Sequence, residues 1–146
     1  MKIVFILNGQ EVQVEAEPLQ PLDQILRNVL HVESVASGCG AGDCGICAIS
    51  FEGCVVAACM TPAMCAVGAE IWTVEGLGDH PNPKAASILR AKDALEKAVC
   101  GACLPAQAMT ALTEDLKLES FVDVLCRCGT WHDLLQHLHD TNGDSR

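Results

Sequence analysis

Cysteine is the residue type whose number and spacing could do chemistry in this chain, with ten thiols among 146 residues. Eight of them form two groups of four, one in each half of the sequence. Thiolates bind soft metals and iron–sulfur clusters or join as disulfides, so their spacing must decide among these chemistries. The sequence offers no Ser-His-Asp set, phosphate-binding loop or paired carboxylates that would support another chemistry.

The first group lies in a glycine-rich stretch and has the spacing C-x4-C-x2-C-x11-C. Its members are Cys39, Cys44, Cys47 and Cys59. This is the plant-type ferredoxin spacing for a [2Fe-2S] cluster, in which a loop delivers three thiolates and a following strand delivers the fourth. Four glycines between residues 38 and 45 leave the backbone free to approach closely and to point N–H groups at the sulfurs.

The second group has the spacing C-x2-C-x22-C-x-C. Its members are Cys100, Cys103, Cys126 and Cys128. Two close pairs at opposite helix junctions can converge on one tetrathiolate site. A C-x-C pair is less usual for zinc than C-x2-C, because the short loop favours ligands on different irons or a tight approach to one metal.

The two remaining thiols, Cys54 and Cys65, stand among apolar residues, which predicts small buried hydrophobic side chains and not ligands. Zinc staples remain an alternative for the other eight, although C-x4-C-x2-C-x11-C fits zinc knuckles poorly. Disulfides would close trivially short loops. The five histidines are too scattered to form a site, and Arg127 could offset cluster charge or bond a sulfur.

The elements that must position the first group form a small α+β unit. Residues 3–7 and 12–16 flank Asn8-Gly9, the dipeptide that most favours a two-residue hairpin turn. Apolar residues from Leu22 to Leu30 recur at helical spacing. The cysteine-rich stretch 37–47 is then predicted as a loop wrapped around a ligand.

A second hairpin follows this loop, with strands predicted over 47–51 and 54–58, and residues 71–74 supply another short strand. Turn-forming residues 78–83 mark a linker. We therefore predict an N-terminal domain over 1–77 and a second domain over 84–146.

The second domain is predicted as four short helices with cysteines at their junctions. Apolar spacing indicates one helix from Ala85 to Val99 and another containing Met109, Leu112 and Leu116. Two capping-box patterns, Ser120 to Asp123 and Thr130 to Asp133, indicate where two further helices begin.

The amino-acid composition argues against some classes of binding partner. The formal net charge is −10, which argues against nucleic acid and anionic membranes, because both select clustered Lys and Arg. No apolar run approaches the roughly 18 residues of a membrane helix. The N-terminus lacks a secretion signal, so we expect the reducing cytoplasm, where thiols serve as ligands. Only 3% of residues are aromatic, so metal sites are expected to support small cores.

Five motifs in this order resemble the small iron–sulfur subunit of the molybdenum hydroxylases, the family of xanthine dehydrogenase, aldehyde oxidoreductase and carbon monoxide dehydrogenase. They are Cys39-Gly-Ala-Gly-Asp-Cys-Gly-Ile-Cys47, Cys59, Thr73-Val-Glu-Gly-Leu77, Cys100-Gly-Ala-Cys103 and Cys126-Arg-Cys128. The resemblance covers nearly the whole chain. Where family members carry Gln before the C-x2-C motif, this chain has Val99.

The resemblance implies a ferredoxin-like β-grasp domain followed by an all-α four-helix domain, each with one [2Fe-2S] cluster. It implies electron transfer from molybdopterin on a large partner subunit, through both clusters, to a flavin on a medium subunit or to another acceptor. No substrate chemistry is expected on this chain. A two-cluster ferredoxin-like adaptor of a different oxidoreductase is the alternative function, and a zinc-stapled interaction module is a third.

Overall fold

The computed structural model describes residues 1–97, 99–113, 124, 126, 128 and 130–143. The chain begins with the predicted hairpin. Strand β1 (Lys2–Leu7) pairs antiparallel with β2 (Gln10–Glu15). Asn8 and Gly9 connect them with φ of 52° and 80°, the left-handed geometry that this turn requires.

Helix α1 (Leu22–Asn28) follows and buries Leu22, Ile25 and Leu26, the apolar face that the sequence predicts. It ends two residues before the predicted Leu30. His31 has a φ of 55°, and the backbone N–H of Val32 donates to the Leu26 carbonyl at 2.8 Å, which turns the chain away from the helix.

The second hairpin is also confirmed, with β3 (Ala48–Phe51) antiparallel to β4 (Cys54–Ala57). The last strand, β5 (Glu70–Trp72), is shorter than predicted because a 3-10 turn begins at Val74. It pairs parallel with β1 and antiparallel with β3, which gives the sheet order β2-β1-β5-β3-β4. The sheet is therefore mixed, and α1 packs on the core that it shares with Ile3, Phe5, Ile49 and Ile71.

Three further helices follow, α2 (Lys84–Glu96), α3 (Leu104–Thr113) and α4 (Thr130–Gly143). The first ends three residues before the predicted Val99. The helix predicted to begin at Ser120, and Leu116 of the helix before it, lie outside the described residues. The described part of the chain thus has a mixed sheet and four α-helices.

The three later helices share a second core. Ile88, Leu104, Met109 and Leu134 are among its buried members, and Trp72 and Leu77 from the end of the sheet region join them. Across the described ranges, no helix is long and apolar enough to cross a membrane.

Candidate metal centres

The residues of the first cysteine group, hereafter the loop site, are positioned by the segment between α1 and β3. Backbone N–H groups surround one sulfur: those of Asp43, Ala41 and Cys44 donate to Cys39 Sγ at 3.2, 3.4 and 3.4 Å. The N–H of Cys39 donates to Cys44 Sγ at 3.4 Å. The N–H groups of Ala41 and Cys44 lower the pKa of Cys39 to about 7, so its thiolate, the metal-binding form, is readily populated.

Glycine is required at two places in this loop. A side chain on Gly38 would place its Cβ 2.6 Å from Cys44 Sγ, and one on Gly42 would meet Met60 at 2.9 Å. Gly42 also has a φ of 78°, which L side chains rarely adopt. A side chain at Gly38 would therefore displace Cys44, and one at Gly42 would displace Met60.

The last two members of the loop site are brought together by the β3–β4 hairpin. Cys47 directly precedes β3, and Cys59 lies in the 3-10 turn Ala58–Met60 that follows β4. The N–H of Ala58 donates to the Cys47 carbonyl at 3.2 Å. Burial, with the neighbouring Cys47 sulfur, raises the pKa of Cys59 to about 11. Cys59 therefore favours the neutral thiol unless a cation stabilises its thiolate.

The second group, hereafter the helix site, is assembled from two distant segments. Cys100 and Cys103 directly precede α3, and Cys126 and Cys128 precede α4. The sulfurs of Cys100 and Cys128 lie 3.4 Å apart. Cys103 and Cys126 form the other pair, and burial together with that contact raises the pKa of Cys103 to about 11.

Two side chains that the sequence did not single out as site residues lie against the helix site. The Thr130 hydroxyl is 3.0 Å from Cys126 Sγ and 3.8 Å from Cys103 Sγ, and Gln107 donates from Nε2 to Cys103 Sγ at 3.3 Å. The sequence assigned Thr130 to a capping box, and its structural position instead directs its hydroxyl to sulfur. Gln107 stands four residues after Cys103 in a helix, a spacing that could have identified it.

These contacts change the acidity of Cys126. Burial would raise the pKa of Cys126, but hydrogen bonds from the hydroxyl and backbone N–H of Thr130 outweigh it and lower the pKa to about 7. In the neighbouring pair, the N–H of Ala102 and the Cys128 thiol lower the pKa of Cys100. The helix site, like the loop site, therefore contains thiols whose lowered pKa favours the thiolate form.

The two thiols outside both groups were predicted to be buried, and this prediction was wrong. Cys54 and Cys65 are both exposed, because Cys54 starts the edge strand β4 and Cys65 lies in a surface 3-10 turn. No disulfide joins any of the ten cysteines, all of which the structure describes. His80 packs its ring against Trp72 at 4.4 Å between centroids. Arg127 lies outside the described residues.

Within the described ranges, no three or more His, Cys, Asp or Glu side chains close around a point where a single metal ion would sit. The sulfurs instead stand in pairs: Cys39 with Cys44, Cys47 with Cys59, and two further pairs in the helix site.

No family model matches the chain. Over 140 residues it is 36% identical to one component of the nicotinate dehydrogenase of Pseudomonas putida, and the match covers 89% of this chain and 87% of that protein. It is 28% identical to the iron–sulfur-binding subunit of an aldehyde oxidoreductase of Escherichia coli, with 99% of this chain and 72% of that protein covered. The chain belongs to the iron–sulfur subunits of the molybdenum hydroxylases.

Structural similarity agrees with this assignment. Quinoline 2-oxidoreductase from Pseudomonas putida 86 superposes with a TM-score of 0.81 at 28% identity, covering 96% of this chain and 91% of that one. This molybdenum hydroxylase subunit therefore works within an oxidoreductase complex, and its function is electron transfer.

Proposed function

We propose that this subunit binds two [2Fe-2S] clusters and passes electrons between them. Cys39, Cys44, Cys47 and Cys59 hold one cluster, and Cys100, Cys103, Cys126 and Cys128 hold the other. When bound, such clusters supply one-electron oxidation and reduction. The observation that carries the proposal is the arrangement of the eight sulfurs as pairs at two sites.

Pairs suit this cofactor because each of its two irons takes two protein thiolates. Two sulfurs on one tetrahedral metal with bonds of roughly 2.3 Å lie about 3.8 Å apart. The Cys100 and Cys128 sulfurs, at 3.4 Å, need to move only slightly to meet that separation. We assign Cys100 and Cys128 to one iron of the helix site, and Cys103 and Cys126 to the other.

The surroundings of the sulfurs also suit an anionic cluster. Backbone N–H groups of the loop and side-chain donors of the helices point at ligand sulfurs, and such bonds stabilise the negative charge that the cluster adds. A buried cluster without these donors would be costly, because burying charge without partners is unfavourable.

An apolar contact joins the surroundings of the two sites. Ala48, the residue after Cys47, packs against a small cluster of buried side chains that contains Cys103 and Ala106, with Cys126 beside them. Ala48 therefore links the backbone next to a loop-site cysteine to the packed layer around two helix-site cysteines. We place the electron path from the helix site to the loop site across Ala48.

The proposed organisation has two domains, and the end of the first, with Trp72 and Leu77, packs against the helices of the second. A ferredoxin-like β-grasp domain over 1–77 holds the loop site, residues 78–83 form the linker, and a four-helix domain over 84–146 holds the helix site. We place molybdopterin on a large partner subunit. The acceptor, FAD or another group, belongs to a further partner. Because the ligands must remain reduced thiols, we place the complex in the cytoplasm.

Metal analysis and electron paramagnetic resonance of the purified complex test the proposal. We expect about four irons per chain and two distinct [2Fe-2S] signals after reduction. Cys44→Ser should remove one signal and Cys128→Ser the other. Zinc in place of iron, or a single signal in the unaltered protein, would overturn the cluster assignment. Molybdenum that co-purifies supports the hydroxylase complex, and its absence favours an adaptor of a different oxidoreductase.

A further inference from the structure

Gln107 is a buried polar side chain that packing alone does not explain. It has no exposed surface, and it lies on α3 among apolar residues. Its Nε2 donates to Cys103 Sγ at 3.3 Å, whereas its Oε1 is buried without a hydrogen-bond partner in the described part of the chain. A buried amide oxygen without a partner costs about 1–3 kcal/mol, which a leucine or methionine here would avoid.

The orientation of the amide indicates what compensates for this cost. A neutral thiol is a weak acceptor, but a metal-bound thiolate makes a charge-assisted hydrogen bond that is roughly twice as strong. The helix fixes the contact, because the N–H of Gln107 donates to the Cys103 carbonyl at 3.0 Å and this first-turn geometry brings its side chain to the sulfur.

Thr130, the first residue of α4, makes a similar contact to the sulfur of Cys126. It is fully buried, and its hydroxyl lies between Cys126 Sγ and Cys103 Sγ at 3.0 and 3.8 Å. Both neutral donors therefore act on Cys103 and Cys126, the pair assigned to one iron and the more buried half of the helix site.

We propose that Gln107 and Thr130 are positioning residues that raise the reduction potential of the helix-site cluster through hydrogen bonds to Cys103 and Cys126. This proposal rests on the proposed function. Reduction adds one electron, whose charge is shared by the thiolate sulfurs. Donors to those sulfurs stabilise the reduced cluster more than the oxidised one, and the potential rises. The loop site, whose identified donors are backbone N–H groups, is outside their reach.

The test is a redox titration of the intact complex followed by electron paramagnetic resonance, which measures the midpoint of each cluster separately. Gln107→Met keeps the approximate length of the side chain and removes the donor. Thr130→Val keeps its shape and removes the hydroxyl, whereas Thr130→Ser keeps the hydroxyl and serves as the matched control.

We expect Gln107→Met and Thr130→Val each to shift the reduction equilibrium of the helix-site cluster roughly tenfold toward the oxidised form. For a one-electron couple this is a midpoint about 59 mV more negative. Thr130→Ser should keep the midpoint of the unaltered protein, and the loop-site midpoint should stay constant in every variant.

Failure of this proposal is distinct from failure of the proposed function. If the unaltered complex lacks two [2Fe-2S] signals, the proposed function fails. If both signals are present and neither donor-removing variant shifts the helix-site midpoint, the two residues are structural only and the proposal is wrong. If Gln107→Met loses the helix-site cluster, the difference between Thr130→Val and Thr130→Ser decides, and equal midpoints in that pair overturn the proposal.

Discussion

The loop site and the helix site surround their sulfurs with different kinds of donor. In the loop site, Cys39 is exposed and receives hydrogen bonds from backbone N–H groups within five residues of itself. In the helix site, Cys103 is buried, accepts a hydrogen bond from the Gln107 side chain and lies 3.8 Å from the hydroxyl of Thr130, 27 residues away. Three of the four loop-site cysteines lie in one loop and the β3–β4 hairpin brings the fourth to them, whereas the helix site exists only where two helix junctions meet.

This difference has a consequence for how each site can change. A backbone N–H is present whatever the side chain, so substitutions alter the loop site chiefly through the conformation of its glycines. The donors of the helix site are individual side chains, so a single substitution can remove one and leave the fold in place. A cluster bound at the helix site, as proposed, would therefore be the one whose reduction potential can be adjusted residue by residue.

Removal of iron by a chelator under reducing conditions should have the largest effect and should separate the two halves. The helix-site ligands join the starts of α3 and α4, whereas β1 and β2 belong to a sheet with its own core. We expect amide exchange in residues 130–143 to accelerate roughly 100-fold, because metal binding supplies folding free energy there.

Hydrogen exchange read by mass spectrometry on peptides from both halves provides the measurement. Residues 2–15 serve as the internal control and should change by less than about tenfold. Equal acceleration in the two halves would show that both depend on iron to the same degree. That result would contradict the expectation that the helical half depends on iron more than the sheet does.

Substitution of Gly38 by alanine should disable the loop site alone. The new Cβ would lie 2.6 Å from Cys44 Sγ, too close for a ligand sulfur to keep its place. We expect loss of most of the loop-site signal in electron paramagnetic resonance, with the helix-site signal retained. Gly78→Ala is the control, since a Cβ there meets no atom within 4 Å. Equal loss in both variants would point to a general folding defect.

Glu75 should make a smaller, pH-dependent contribution to the stability of the protein, by holding the segment that leads into the loop site. Its carboxylate accepts from the N–H and hydroxyl of Ser34 at 2.9 and 2.6 Å and from the Thr73 hydroxyl at 2.7 Å. Burial would raise the pKa of Glu75, but these bonds outweigh it and lower the pKa below its usual 4.5. The bonds therefore stabilise the charged form.

A depressed pKa in the folded state contributes stability that is present above pH 4.5 and is lost as the pH falls through the lower folded value. We expect Glu75→Gln to lower the free energy of unfolding by about 1 kcal/mol at pH 7, with the difference shrinking as the pH falls below 4.5. Chemical unfolding followed by circular dichroism measures this free energy. Glu33→Gln is the control, because Glu33 is exposed and directly precedes Ser34. A difference that does not change with pH would rule out this role for the carboxylate.

The smallest effect should come from the two thiols outside both sites. Cys54→Ser and Cys65→Ser change exposed side chains outside the two proposed groups of ligands. We expect unchanged iron content and stability within about 0.5 kcal/mol of the unaltered protein. Loss of iron from either variant would show that the division of the cysteines into two groups of four is incomplete.

Much of the fold could be predicted because its signals are local. Asn8-Gly9 specifies a hairpin turn through the backbone angles that those two residues tolerate, and the apolar spacing from Leu22 gives α1 one buried face. Element ends differ from the prediction. The predicted strand 71–74 ends at Trp72, and the helix predicted to reach Val99 ends at Glu96, because packing and turns set those limits.

The sequence by itself predicted which eight cysteines are ligands, since the spacings C-x4-C-x2-C, C-x2-C and C-x-C are local patterns that read directly from the chain. Only the tertiary structure decided how the sulfurs pair and which groups bond them. Cys100 meets Cys128, and Thr130 turns its hydroxyl from a helix cap to a sulfur, because packing of α3 and α4 places them there. The burial of Gln107 is likewise a property of the assembled core. Apolar neighbours in the sequence do not predict burial, because Cys54 also stands among apolar residues and is exposed.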